Sequence, residues 1–149
     1  MVSIFIAPRE GAPVVEQDRV KAVEGRGLEG DRYHELTGTF SRKMDPGREV
    51  TLIESEAIAA LERDFGIAIG LGGSRRNIVT SGVSLNDLVG REFEIGEAAF
   101  RGVRLCPPCG LLERMTQRGV KAGLKDRGGL NAQVLRTGWI RRGDPVSVR

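Results

Sequence analysis

Apolar and polar positions along this chain alternate in short runs that glycine and proline keep interrupting. Val2 to Ala7 is apolar and stops at Pro8, and Val14 to Val23 alternates well enough to predict a second strand after a Pro8 to Pro13 turn. Glu49 to Ile53 reads as another strand. Ser55 to Phe65 has helical period instead, with Ile58, Leu61 and Phe65 on one face and Glu56, Glu62 and Arg63 off it, and Gly66 is a natural stop. Beyond it, Ile78-Val79 is a short apolar pair, and Ser84 to Leu88 predicts one helical turn with Ser84 as its N-cap. From Gly90 the period is that of strands: Arg91 to Ile95, a turn at Gly96-Glu97, then Ala98 to Leu105. A short helix to about Thr116 follows. The tail reads as strands over Leu130 to Arg136 and Trp139 to Ile140, a turn at Arg142 to Pro145, and a last strand over Val146 to Val148. Many short strands, glycine turns and one clear helix predict a β-rich α+β domain, barrel-like rather than doubly wound.

Three stretches break the pattern with glycine. Gly25 to His34 carries three glycines and then Asp31, Arg32 and His34, and the polar Glu35 to Gly47 segment continues it as a loop. Gly70 to Asn77 places Arg75, Arg76 and Asn77 after three glycines, so backbone N–H groups and guanidinium could converge on an anion. Neither the Walker pattern nor a Gly-x-Gly-x-x-Gly opening a helix is present. Asp126-Arg127-Gly128-Gly129 reads as a hairpin turn. For each of the three, a plain solvated turn is the alternative reading.

The remaining punctuation is chemical. Leu105 to Glu113 holds both cysteines, Cys106 and Cys109, with two prolines between them. Pro108 suits the first residue of a helix, which would set Cys109 at an electropositive helix start where a thiolate is stabilised. Cys-x-x-Cys at a helix start also suits a dithiol redox pair, but such enzymes set it near the N-terminus of a βαβ unit. A zinc site could recruit only one imidazole, His34, and lacks a second cysteine pair. Cys106, at a strand end, could equally be a small buried hydrophobe.

Bulk numbers bound the rest. The 149 residues predict one domain, 1–149, and 40% hydrophobic with 29% charged content is ordinary for a globular chain. No apolar run approaches the roughly 18 residues of a membrane span, and the start is too short for a signal peptide, so the expected compartment is the cytoplasm. Net charge is +3, and of 23 basic residues 19 are Arg and 4 are Lys. Arg favours bidentate recognition of phosphate and carboxylate. With 5% aromatic content and basic residues scattered along the chain, stacking platforms and a basic stripe are both lacking, which argues against nucleic acid as a partner.

Several stretches taken together resemble the MOSC domain family, named for the C-terminal domain of molybdenum cofactor sulfurase. They are Gly27-Leu-Glu-Gly-Asp-Arg-Tyr-His34, Val50-Thr-Leu-Ile-Glu54 with Glu56-Ala57, Arg76-Asn-Ile-Val79, Leu85-Asn-Asp-Leu-Val-Gly90, Phe93-Glu-Ile-Gly96, Leu105-Cys-Pro-Pro-Cys109 and Ile140-Arg-Arg-Gly-Asp-Pro145. The resemblance implies a β-barrel with a few short helices and a single essential cysteine, which maps onto Cys109. In one branch that cysteine carries a persulfide received from a pyridoxal-phosphate cysteine desulfurase. In the amidoxime-reducing branch it ligates molybdenum on a pterin cofactor and N-hydroxylated compounds are reduced. The resemblance therefore implies sulfur carriage or molybdenum-cofactor binding by Cys109, with Asp31, Arg32, His34, Arg76, Asn77 and Arg127 as the groups expected around the cofactor. No pyridoxal-phosphate domain is recognisable, so sulfur is expected from a partner, and the resemblance implies a cysteine desulfurase or a molybdenum enzyme as the partner. Convergence of the glycine loops on Cys109 is the structural condition for this reading.

Overall fold

Most of the extended runs form strands. The computed structural model describes residues 1–9, 11–32, 48–108 and 110–149, so Glu10, Tyr33, His34, residues 35–47 (which the sequence reads as a loop) and Cys109 lie outside the described residues. In chain order the described elements are β1 (Ser3–Ile6), β2 (Val15–Gln17), β3 (Arg19–Val23), β4 (Gly27–Leu28), β5 (Val50–Glu54), α1 (Ser55–Phe65) and β6 (Ile78–Thr80). A 3-10 turn (Leu85–Leu88) then leads to β7 (Glu92–Ile95), β8 (Ala98–Leu105), α2 (Gly110–Met115), α3 (Val120–Gly123), β9 (Leu130–Arg136), β10 (Gly138–Arg141) and β11 (Val146–Val148).

Eight strands form one sheet in the order β11-β7-β8-β9-β5-β6-β1-β2, and three form a second in the order β10-β3-β4. Neighbours are antiparallel except β5 and β6, which run parallel with Leu52 opposite Ile78. A parallel pair needs a crossover, and α1 supplies it. Neither sheet closes on itself among the described residues, so the ladders form two open sheets and the closed barrel expected above is not seen. The predicted single strand Val14 to Val23 breaks at Asp18, where β2 leaves β1 and the chain turns into β3 beside β10. That break starts the second sheet instead of extending the first.

Successive residues of the central strands face two different cores, as the two-residue period of a strand requires. Ile4, Leu52 and Ile78 point to one side, where they meet Val20, Ala22, Leu28 and Ile140 of the small sheet and Leu85 and Leu88 of the 3-10 turn. Phe5, Ile53 and Val79 point to the other, where Ala57, Ile58 and Leu61 of α1, Leu112 of α2, and Val120 and Leu124 beside or within α3 cover them. The large sheet is thus sandwiched between a small sheet at the back and three helices at the front.

Helix boundaries follow the sequence with two exceptions. α1 spans Ser55–Phe65 and ends as Gly66 takes a left-handed conformation, its N–H donating to the Glu62 carbonyl at 2.9 Å. α2 begins at Gly110, so Pro108 lies before the helix rather than opening it, and six residues carry only a short dipole. Four residues from Val120 to Gly123 form α3, where the polar sequence predicted none. Glu113 caps it from α2, its Oε1 accepting from the N–H groups of Gly119 at 3.0 Å and Lys121 at 3.2 Å. Ser84 occupies the N-cap of the 3-10 turn as predicted, yet its side chain makes no cap bond, and the N–H of Leu85 is taken by Glu54 instead.

Candidate functional site

Two of the three glycine loops meet at the segment Cys106 to Pro108. β8 and β9 pair down to Leu105 and Leu130, and the ladder continues one step as the N–H of Cys106 donates to the Gly129 carbonyl at 2.8 Å. Gly128 then lies directly under the prolines. A Cβ there would collide with the Cys106 carbonyl and sit 2.6 Å from Pro108 Cδ, closer than such atoms approach. Gly129, at φ of +115°, would likewise run into the Leu52 carbonyl with any side chain. These two glycines let the Asp126 to Gly129 loop lie flat against the cysteine segment.

Arg76 closes the junction from the third side. It is the next-to-last residue of the Gly70 to Asn77 loop, and its Nε donates to the Gly128 carbonyl at 2.8 Å. Its Nη2 reaches the carbonyls of Cys106 at 3.4 Å and Pro107 at 3.3 Å. One guanidinium thus joins three acceptors from two loops, a use of its planar fork that lysine could not reproduce. Arg76 and Arg127 belong to the loops that converge here.

The other expected site residues are set inside the fold. Asn77, just before β6, is buried, and its amide ties β5 to β1: Oδ1 accepts from the N–H of Thr51 at 3.1 Å and its hydroxyl at 3.2 Å, while Nδ2 donates to the Phe5 carbonyl at 3.1 Å. Asp31 and Arg32 form a buried ion pair at 3.2 Å, and Asp31 Oδ1 also accepts from the N–H of Ala7 at 2.9 Å. This pair fastens the Gly25 to Arg32 loop to the end of β1. His34 and Cys109 lie outside the described residues.

Arg127 is exposed and lines a cavity of 310 Å³ with Glu54, Glu56, Ala57, Ser84, Asn86 and Asp126. Burial pushes the Glu54 carboxyl above the usual range, against the downward pulls of the Leu85 N–H and the Arg127 charge. Its neighbour Glu56 shifts the other way, held down chiefly by the N–H of Gly82 at 2.8 Å.

A larger cavity, 520 Å³, adjoins the cysteine segment itself. Pro107, Pro108 and Ala122 form apolar walls, and Glu113, Lys121, Lys125 and Asp126 supply the charges. Lys121 and Lys125, two of the four lysines in the chain, are four residues apart, and neither ammonium has an ion-pair partner among the described residues. Sequence reasoning passed over both because it followed the arginines. Their spacing beside a helical turn was the available signal. Among the described residues no group of three or more His, Cys, Asp or Glu gathers as a metal cage, and no helix is long and apolar enough to cross a membrane.

Comparison with known proteins decides which family the chain belongs to. A family model for the MOSC domain matches residues 39–147, well over half of the chain. The chain belongs to the MOSC domain family. The fold of this MOSC domain is also that of the YuaD protein from Bacillus subtilis, with a TM-score of 0.82 at 18% identity over 98% of this chain and 92% of that one. YiiM from Geobacillus stearothermophilus (TM-score 0.73, 17% identity) covers 99% of this chain with 73% of its own, and YiiM from Escherichia coli (0.70, 18%) covers 100% with 70%. The comparison with curated proteins returns no match. MOSC domains are associated with molybdenum-cofactor binding and sulfur transfer.

Proposed function

We propose that this MOSC domain carries sulfur on Cys109. The observation that supports it is the Arg76 clamp, which holds the carbonyls of Cys106 and Pro107 against Gly128 and so fixes the chain immediately before Cys109. A carrier thiol needs a fixed backbone and an open approach, and a 520 Å³ cavity lies beside Pro107 and Pro108, the two residues that lead to it. In the transfer step, the Cys109 thiolate attacks the terminal sulfur of a donor protein's persulfide. The donor's S–S bond breaks, its electron pair leaves on the donor cysteine thiolate, and a new S–S bond forms on Cys109. No electrons are gained or lost overall, so no further oxidant or reductant is required.

Cys106 supports the single-sulfur reading over a dithiol pair. It is buried at the end of β8, with its N–H bonded to Gly129 and its carbonyl to Arg76. Buried thiols are poor nucleophiles.

A second reading rests on Lys121 and Lys125. A molybdenum–pterin cofactor bears a phosphate, and two ammonium groups beside an apolar cavity fit one. Cys109 would then be the thiolate ligand, and the lysines, rather than the internally bonded Arg32, Arg76 and Asn77, would hold the phosphate. Such a cofactor supplies two-electron reduction of N-hydroxylated compounds.

Incubation with a cysteine desulfurase, cysteine and pyridoxal phosphate, followed by persulfide labelling, tests the first reading. Cys109→Ser is expected to abolish label and Cys106→Ser to leave most of it. Equal loss from both variants would instead establish a dithiol pair. Stoichiometric molybdenum in protein purified from a cofactor-producing host, lost in Lys121→Ala/Lys125→Ala, would favour the second.

A further inference from the structure

The back of the molecule carries a surface that no part of the cysteine chemistry uses. In the small sheet, Val20, Ala22 and Ile140 point into the core, so the alternate residues Arg19 and Lys21 of β3 and Trp139 and Arg141 of β10 point outward. The register sets Arg141 directly across from Arg19, and Trp139 directly across from Lys21. Like charges facing each other across a strand pair oppose pairing. The Arg19 guanidinium is partly accommodated by the Trp139 ring, 5.0 Å from its centroid.

Charge balance around this face is one-sided. The flanking carboxylates Glu16 and Asp18 are both taken by Arg142, at 3.1 and 3.3 Å. Among the described residues, no carboxylate pairs with Arg19, Lys21 or Arg141. Trp139 nonetheless remains 37% exposed, the only tryptophan in the chain. An exposed indole ringed by arginine and lysine has the composition of a binding hot spot.

We infer that the outer face of the small sheet, Arg19, Lys21, Trp139 and Arg141, docks an acidic protein segment whose apolar residue covers the indole. Charge complementarity selects the partner's sign. A lone aromatic ring selects protein over single-stranded nucleic acid, which needs a row of rings for successive bases. The face lies on the opposite side of the large sheet from α1, α2 and α3, so a partner held here leaves the cysteine segment open. The inference stands whether or not Cys109 carries sulfur.

Because Trp139 is the sole tryptophan, its emission reports on this face directly. A short peptide of alternating Glu and Leu is titrated into the intact protein at low salt, beside a single-stranded oligonucleotide of equal charge. The peptide is expected to shift the emission, and added salt to weaken its binding. Arg19→Glu/Arg141→Glu should weaken it about tenfold. Arg118→Glu, an exposed cation on the helical side, should leave it unchanged apart from a small net-charge effect. If the double variant does not fold by circular dichroism, Arg141→Gln is used alone, with about threefold weakening expected. Tighter binding of the oligonucleotide, equal weakening by Arg118→Glu, or no emission change with the peptide would each overturn the inference.

Discussion

Two adjacent carboxylates at the junction of β5 and α1 show how far local surroundings outweigh residue type. Glu54 is pushed up by burial, so its charged form costs stability at neutral pH, and that cost disappears as pH falls through the raised value. Glu54→Gln is therefore expected to raise the melting temperature by about 1–3 °C at pH 7, with the gain vanishing in acid. Glu56 is held down by the Gly82 N–H, so its stabilising contribution is present at neutral pH and lost as pH falls through the lowered value. Glu56→Gln should lower the melting temperature at pH 7 and converge on wild type in acid. Melts of both variants across pH check the opposite signs. Arg76 is the other residue whose surroundings decide its role. Arg76→Ala should cost about 2 kcal/mol in urea unfolding and change the rate at which iodoacetamide labels Cys109, while Arg76→Lys restores only part of each. The sequence marked Arg76 and Asn77 as polar groups after glycines, but which partners they meet depends on Gly128 and Phe5, far along the chain. Nothing local distinguishes a cofactor ligand from a backbone clamp.

Elements were more legible than roles. Ser55–Phe65 has a helical apolar stripe and a glycine stop, and it is that helix; the hairpin of β7 and β8 follows from alternation around Gly96-Glu97. The break at Asp18 and the short α3 were not legible. The first is set by which strand β3 finds as a partner. The second depends on a cap from Glu113, which the local pattern of Val120 to Gly123 does not contain. Contact between loops sits at the same level. Gly128→Ala places a methyl group against the Cys106 carbonyl and Pro108, where rigid backbone and ring cannot yield. It is expected to destabilise the protein by about 2–3 kcal/mol and to displace the cysteine segment, which urea unfolding and Cys109 labelling would both register.

At the scale of the molecule, one sheet serves two cores, and neighbouring residues answer to different ones. Leu52 belongs to the back core and Ile53 to the front. Either residue changed to Ala should cost about 2–5 kcal/mol. Since the strand is common to both, fluorescence from Trp139 and far-ultraviolet circular dichroism should report one coincident transition in each variant. A closed barrel was the part of the architecture least readable beforehand, because closure depends on how edge strands pair and not on their alternation. The Arg76 clamp has a further consequence for the chain as it is made. Its acceptors lie 30, 31 and 52 residues further on, so on a ribosome the guanidinium emerges long before anything it can hold. The cysteine segment takes its final shape only after β9 has joined β8. Closure of the clamp is therefore timed by completion of the sheet, and a half-synthesised chain presents Cys106 and Pro107 without the frame that Arg76 and Gly128 give them.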